Sequence, residues 1–276
     1  MPALEVWGDP IDHSLSPALH TAAYAELGWE DWTYGRRRVA EADFARELSS
    51  LGPDVRGLSC TMPLKTAVHA VADERDTRTE LTGAGNTLLL TEGRRRAFNT
   101  DVGGIIRALE EAGIERPASA RIVGAGATAT SALVALAEWG VGLVDVVARR
   151  PNAIAGLRAL GDRLGVAVDA APLTARFHRP HPLTLATLPG DAPVGSDVAE
   201  SLAAAGGVLF DVVYGHWPTV LASAWQDAGL RAVSGEGMLL HQAVLQIRIF
   251  ATADVTEPLP DEQAVVAVMR RALVGG

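Results

Sequence analysis

Short apolar runs bounded by glycine, proline and aspartate alternate along this chain with longer stretches whose apolar residues recur every third or fourth position. The first pattern predicts strands and the second amphipathic helices. Runs over 4–7, 32–39 and 55–61 read as strands. Helical stretches over 16–27 and 41–51 separate them, stopped by Gly28 and by Gly52-Pro53. A helix over 65–72 places Leu64, Val68 and Val71 on one face and Lys65 at its start. Residues 80–101 read as a hairpin turning at Glu92-Gly93, followed by a helix over 102–112 that Gly113 ends. An antiparallel hairpin brings its outer ends together, so Asn86 and Asp101 are expected to be neighbours.

Beyond residue 104 strand and helix alternate throughout. Strands are expected at 122–123, 143–148, 166–170, 183–187, 208–214 and 231–234. Helices fall between several of them: an alanine-rich stretch ending at Glu138, then 153–164 and 219–229. This order implies an α/β fold with a parallel sheet covered on both faces. A long helix over 238–252 and a last one over 262–273 close the chain.

The stretch that organises this half is Ile122-Val123-Gly124-Ala125-Gly126-Ala127-Thr128-Ala129. It sits between a strand and a helix, with a second strand after them, the order a dinucleotide-binding unit needs. Gly124 permits the turn, Gly126 lets the backbone approach a pyrophosphate, and Ala129 is small enough for helix and strand to pack closely. Backbone N–H groups at the helix start would face the phosphates. An acidic residue about 20 positions on would hold the ribose of NAD, and Asp145 stands near that distance. The strand continues past it through Val146, Val147 and Ala148, so the ribose contact belongs at Ala148-Arg149-Arg150. Two guanidinium groups and no carboxylate suit a 2′-phosphate, which favours NADP.

Composition narrows the classes. At 276 residues the chain is long enough for two domains, and 48% hydrophobic with 21% charged residues is globular. A net charge of −9 argues against a nucleic-acid partner. The basic runs Arg36 to Arg38 and Arg94 to Arg96 are short and read as solvated turns or strand ends. The single cysteine, Cys60, excludes an internal disulfide, fits a reducing cytoplasm and reads as a small buried hydrophobe. The opening Met-Pro-Ala-Leu-Glu-Val has neither a basic run nor a long apolar core, so no secretory leader is expected. No apolar run of membrane-spanning length stands uninterrupted, so no membrane span is expected either. His178 and His181 fall in a proline-flanked loop expected to be exposed, with no acidic or cysteine partner nearby, so no metal site is expected there.

Locally, several polar residues have ordinary explanations. Ser16, followed by Pro17, reads as a helix N-cap, with Ser14 simply exposed. Two serines spaced this way could also hold a small carboxylate. A lysine at a helix start, such as Lys65, meets the positive end of the helix dipole, a placement that favours proton transfer but is also found at plain surface sites. Asp101 opens a helix and could serve only as its cap.

Taken together, the ordered set of motifs resembles shikimate dehydrogenases. The matching pieces are His13-Ser14-Leu15-Ser16-Pro17, Thr61-Met62-Pro63-Leu64-Lys65, Gly83-Ala84-Gly85-Asn86-Thr87 and Asn99-Thr100-Asp101. Further along come Gly124-Ala125-Gly126-Ala127, Asp211 with Tyr214, and Gly235-Glu236-Gly237-Met238 with Gln242. The resemblance implies a mixed α/β substrate domain, residues 1–103 with 237–276, and a Rossmann-like NADP domain, residues 104–236, the C-terminal helices returning to the first. It implies that Ser14 and Ser16 bind the substrate carboxylate, with Tyr214 approaching from that side. Thr61, Asn86 and Gln242 contact or orient the ring, and Lys65 and Asp101 form the catalytic pair. Arg149 within Ala148-Arg149-Arg150 meets the 2′-phosphate, and Thr187, Val212 and Gly235 line the cofactor beside Gly124, Ala125, Gly126, Ala127 and Thr128.

The chain departs from the family pattern at a few positions. Ser59 replaces an asparagine that binds substrate in many members. Ala148 and Arg150 replace an asparagine and a threonine, Thr21 replaces an asparagine after His20, and Leu188-Pro189-Gly190 replaces a more polar turn. The implied reaction is reversible NADPH-dependent reduction of 3-dehydroshikimate to shikimate, in a cytoplasmic monomer or homodimer. Three other readings stay open: an NAD-dependent quinate/shikimate dehydrogenase, an aminoshikimate-type enzyme, and a nucleotide-binding regulatory protein without turnover. The first would want an acidic residue where Ala148-Arg149-Arg150 stands. The last would have no use for Lys65 and Asp101 together.

Overall fold

Two six-stranded sheets carry the chain in the computed structural model, which describes residues 1–149, 151–173, 177 and 179–274, the side chains of 151, 152 and 274 excepted. Each sheet belongs to one of two compact units. The first comprises Met1–Gly104 and Leu239–Gly276, the second Ile105–Met238.

The first unit begins β1 (Ala3–Gly8), α1 (Ser16–Glu26), β2 (Thr33–Arg38), α2 (Phe44–Ser49) and β3 (Val55–Cys60). It continues α3 (Lys65–Val71), β4 (Glu74–Arg75), α4 (Thr77–Thr82), β5 (Thr87–Thr91), β6 (Arg94–Phe98) and α5 (Thr100–Glu111), the last running across the boundary. The strand order is β2-β1-β3-β5-β6-β4. β1 pairs in parallel with β2 and β3, whereas β5 is antiparallel to both β3 and β6, so the sheet is mixed. Side chains alternate across β3. Leu58 and Cys60 pack with Trp7, Phe44, Leu64, Val68 and Leu88 in one apolar cluster, which leaves Ser59 on the opposite face.

The second unit holds β7 (Ser119–Val123), α6 (Ala127–Glu138), β8 (Leu143–Ala148), α7 (Pro151–Leu164) and β9 (Ala167–Pro172). Then follow β10 (Leu183–Ala186), α8 (Ser196–Ala204), β11 (Val208–Asp211), α9 (Val220–Asp227) and β12 (Ala232–Val233). Every pairing in this sheet is parallel, in the order β12-β11-β10-β7-β8-β9. Read from its first strand, that is the doubly wound Rossmann order. α6 packs with α7, and α8 with α9, whose Leu202, Leu221 and Trp225 join Val123 and Val147 in one core. α10 (Glu236–Thr252) leads the chain back to the first unit, where α11 (Glu262–Val274) packs along α1.

Most expected elements stand, and the differences have local causes. The segment before the hairpin folds as α4 instead of extending it. Asp76 caps that helix by accepting from the Thr79 N–H at 2.7 Å, and Gly83 ends it at φ 64°. Leu81 is the one apolar residue between cap and stop, so no apolar stripe announced it. α8 was hidden for a similar reason, because its buried face consists mostly of alanine and Leu202. β11 stops at Asp211, short of the expected 214. The arginine runs are strand ends, as expected, closing β2 and opening β6, and they are also paired: Arg37 with Glu5 and Glu47, Arg38 with Asp9, Arg95 with Asp73. His181 is not exposed. Its imidazole is fully enclosed, meeting Asp145 Oδ2 at 2.8 Å and Ser119 Oγ at 3.2 Å, while His178 lies outside the described residues. Cys60 is buried, and burial raises its thiol pKa.

Candidate active site

Lys65 is the first residue of α3, delivered by the turn after β3 in which the Leu64 N–H donates to the Thr61 carbonyl at 2.8 Å. Asp101 lies in the first turn of α5, and the Lys65 Nζ donates to its Oδ2 at 2.6 Å. The side chains are 14% and 5% exposed, so the pair is largely shielded from water. Asp101 is free for this contact because Asn99 takes over the capping of α5. Asn99 Oδ1 accepts from the backbone N–H groups of Asp101 and Val102, at 3.1 and 3.4 Å. Capping, the ordinary explanation offered for Asp101, thus falls to Asn99.

The hairpin juxtaposition is present. Asn86 Nδ2 donates to Asp101 Oδ1 at 2.9 Å and lies 3.3 Å from Gln242 Oε1. Its amide orientation is set by Thr100, whose backbone N–H can only donate and reaches Asn86 Oδ1 at 2.8 Å. Gln242 in turn donates to the Leu239 carbonyl at 2.9 Å. Lys65, Asp101, Asn86 and Gln242 thus form one hydrogen-bonded cluster, three of them buried, drawn from α3, α5, the start of β5 and α10.

At the serine pair the local roles are the reverse of those expected. Leu15, not Ser16, occupies the cap position of α1, without a side-chain bond. Ser14 Oγ accepts from the Ser16 N–H at 3.3 Å, and Ser16 is itself buried, its hydroxyl against the phenol of Tyr34. Ser59 is also buried. Its Oγ meets Gln246 Oε1 at 2.9 Å and receives the Tyr34 hydroxyl at 2.6 Å. Gln246 Nε2 donates to the Asn86 carbonyl and to Thr87 Oγ1, each at 3.2 Å, which ties Ser59 to the same cluster. Thr61, half-buried, follows β3 directly, and its N–H donates to the Trp7 carbonyl at 2.9 Å. Tyr34 and Gln246 did not stand out in the sequence. The available signal for Gln246 was its place one helical turn after Gln242 on the same face.

In the second unit the expected cofactor residues gather at one edge. All six strands run parallel, so their carboxyl ends align, with Val123 opposite both Ala186 and Val147, and Ala186 opposite Asp211. The residues just past those ends are Gly124, Arg149, Thr187, Val212 and, after β12, Gly235. Gly124 has φ 123°, and a Cβ there would lie 2.4 Å from Thr187 Oγ1. A Cβ at Gly235 would lie 2.1 Å from the Val212 carbonyl oxygen, so only glycine fits. At Gly126 a Cβ would meet no protein atom within 4 Å, which leaves the start of α6 open in front of Ala127 and Thr128. This is a glycine cradle at a helix N-terminus, and it suits a dinucleotide pyrophosphate. Asp145 is mid-strand and held by His181 and Arg179. Ala148 is buried at the end of β8, Arg149 is exposed beyond it, and Arg150 lies outside the described residues. Asp211 is buried, its carboxylate accepting from Thr219 Oγ1 at 2.7 Å and from the Val213 N–H at 3.1 Å. Burial raises the pKa of both Asp211 and the nearby Tyr214. No cluster of three metal-binding side chains occurs among the described residues, and none of their helices is long and apolar enough to cross a membrane.

The fold therefore defines a class: an α/β chain joining a mixed-sheet unit to a Rossmann-like unit. Residues 6–88 match the family model of the shikimate dehydrogenase substrate binding domain. A Synechococcus protein named shikimate dehydrogenase (NADP(+)) is 31% identical, over 96% of this chain and 92% of that protein. The crystal structure of Mycobacterium tuberculosis shikimate dehydrogenase superposes with a TM-score of 0.86 at 40% identity, covering 98% of this chain and all of that one. Shikimate 5-dehydrogenase from Thermus thermophilus, in complex with NADP(H) and shikimate, gives a TM-score of 0.80 at 31% identity, covering 99% of this chain and 100% of that one. The chain belongs to the shikimate dehydrogenase family.

Proposed function

We infer that this protein catalyses the reversible NADPH-dependent reduction of 3-dehydroshikimate to shikimate. The observation that carries the reading is the shielded Lys65–Asp101 pair at 2.6 Å, joined through Asn86 to Gln242. In this reading the first unit holds the substrate and the second the cofactor. Bound NADP(H) supplies hydride exchange at the ring carbon. Lys65 supplies the proton to the ring oxygen in reduction and removes it in oxidation. Asp101 holds the Lys65 side chain in place and accepts a hydrogen bond from a neighbouring ring hydroxyl. Asn86 keeps the second oxygen of Asp101 engaged, and its longer contact to Gln242 is the one that gives way to a ring hydroxyl. Ser14 and Ser16 take the substrate carboxylate through their hydroxyls, and Thr61 and Ser59 contact the ring.

Gly124, Ala125, Gly126, Ala127 and Thr128 would hold the pyrophosphate. Arg149 with Arg150 would hold the 2′-phosphate, and Thr187, Val212 and Gly235 would line the nicotinamide end. The absence of a carboxylate at Ala148-Arg149 supports NADP over NAD. The reading describes a cytoplasmic enzyme acting as a monomer or homodimer on a small acid, with no nucleic acid or membrane partner.

The test is oxidation of shikimate and of quinate by the purified chain, each with NADP and with NAD, followed by absorbance of the reduced nicotinamide. Turnover of shikimate with NADP alone is expected. A preference for quinate or NAD would place the protein among the quinate/shikimate enzymes. Silence in all four combinations would refute a dehydrogenase role on these substrates.

A further inference from the structure

Ser59 presents a hydrogen-bonding problem that Gln246 resolves. A serine hydroxyl has one proton and two lone pairs, and it can rotate to donate or accept. Here that freedom is removed. The Asn86 carbonyl can only accept, so the Gln246 atom 3.2 Å from it must be the amide nitrogen. The same nitrogen donates to Thr87 Oγ1. The Gln246 oxygen therefore faces Ser59, and Ser59 must give its single proton to it across 2.9 Å. The proton in the 2.6 Å contact between Tyr34 and Ser59 then has to come from Tyr34. The polarity of the whole chain is set, from Tyr34 to Ser59 to Gln246 to the start of β5.

One lone pair is all that Ser59 retains for a ligand. Gln246 is 2% exposed and Ser59 3%, so water does not compete to reorient either group. The imidazole of His20, fully buried and stacked on Tyr34 at 3.9 Å between ring centroids, closes the far side of the chain.

We propose that Gln246 is a specificity-determining positioning residue, which acts through Ser59 to make that hydroxyl a pure acceptor, so that the ring oxygen facing it must be a hydroxyl. A carbonyl, ether or carboxylate oxygen at that point would meet lone pair against lone pair. The inference rests on the shikimate reading of the preceding subsection, and goes beyond it in assigning how one ring hydroxyl is selected.

The experiment is a double-mutant cycle of Gln246→Met and Ser59→Ala, with kcat and KM for shikimate, KM for NADP and the thermal midpoint measured for each. Loss of one such hydrogen bond corresponds to a roughly three- to tenfold change. Each single variant is expected to raise KM for shikimate by about that factor. The values of kcat and of KM for NADP should stay within about twofold, a split that general loosening of the fold would not produce. The double variant is expected to match Ser59→Ala alone. Multiplying effects, or an unchanged shikimate KM in either single variant, would overturn the proposal. Should Gln246→Met fail to fold, Tyr34→Phe tests the polarity instead: it frees a lone pair on Ser59 but leaves the Ser59 proton with Gln246, so KM for shikimate should stay within about twofold, and a roughly three- to tenfold rise would overturn the proposal. A wild-type protein that turns over shikimate with neither cofactor would overturn the functional reading, and this proposal with it. An active wild type with a multiplicative cycle overturns the proposal alone.

Discussion

The Lys65–Asp101 pair illustrates how one residue can carry two separable effects. Replacing Lys65 removes the proposed proton carrier, and general acid–base assistance is worth roughly 10²–10⁴-fold. Lys65→Ala is expected to lower kcat by that order with little change in KM for shikimate. Unaltered turnover would remove Lys65 from the chemistry. The same replacement strands a carboxylate that is 5% exposed, so Lys65→Met, which keeps the length of the side chain, separates the lost proton carrier from lost packing. His20 gives a prediction of a different kind. It is fully buried between Tyr24 and Tyr34, and desolvation lowers its pKa to about 3 against an opposing pull from a hydrogen bond with Gln246. A histidine depressed in the folded state leaves stability intact above about pH 6.5, and stability falls as pH drops from there toward 3, because only the unfolded chain takes up the proton. The loss reaches about 2 kcal/mol at pH 5. Urea unfolding at pH 8 and pH 5 should show this drop in the wild type, reduced by about that amount in His20→Phe. Equal pH dependence in the two proteins would refute the assignment.

At the level of elements, capping and close approach decide where the functional groups stand. Asn99 satisfies the first N–H groups of α5, which leaves the adjacent Asp101 free to pair with Lys65. The path of the chain into α10 depends on Gly235, where the backbone passes the Val212 carbonyl too closely for any side chain. Gly235→Ala is therefore expected to destabilise the protein by about 1–3 kcal/mol, the usual range for overpacking. Denaturant unfolding would register it as a lower midpoint with an unchanged slope. A midpoint equal to the wild type would show that the backbone yields there at no cost.

For the whole molecule, each ligand that binds only the folded chain must stabilise it. At 100 times its dissociation constant a ligand adds about 2.7 kcal/mol. NADP is expected to raise the thermal midpoint accordingly, with NAD at the same concentration raising it far less. Arg149→Ala should close most of that gap, since it removes the described guanidinium just past β8. Equal protection by both cofactors in the wild type would contradict the role given to Ala148-Arg149-Arg150. Shikimate added alone is expected to stabilise as well, because its proposed contacts lie in the first unit.

Much of this was legible along the chain. The strand–helix alternation beyond residue 104, the turn at Gly124, the end of β8 at Ala148 and the meeting of Asn86 with Asp101 all follow from local rules. Hydrophobic period, turn chemistry and hairpin closure act between residues near one another in sequence. The sequence by itself therefore determined the class of fold, the edge of the second sheet at which a dinucleotide is proposed to bind, and the meeting of Asn86 with Asp101. Only the tertiary structure decided which polar groups are spent on the protein itself. His181 reads as a loop residue until β7 and β8 enclose it beside Asp145. Ser16 reads as a cap until it is found buried against Tyr34. Ser59 reads as a plain substitution until a helix from the far end of the chain sets Gln246 against it. The physical reason is that a hydrogen bond between distant residues depends on sheet order and helix packing. No local period or turn encodes which hydroxyl loses its proton to which amide.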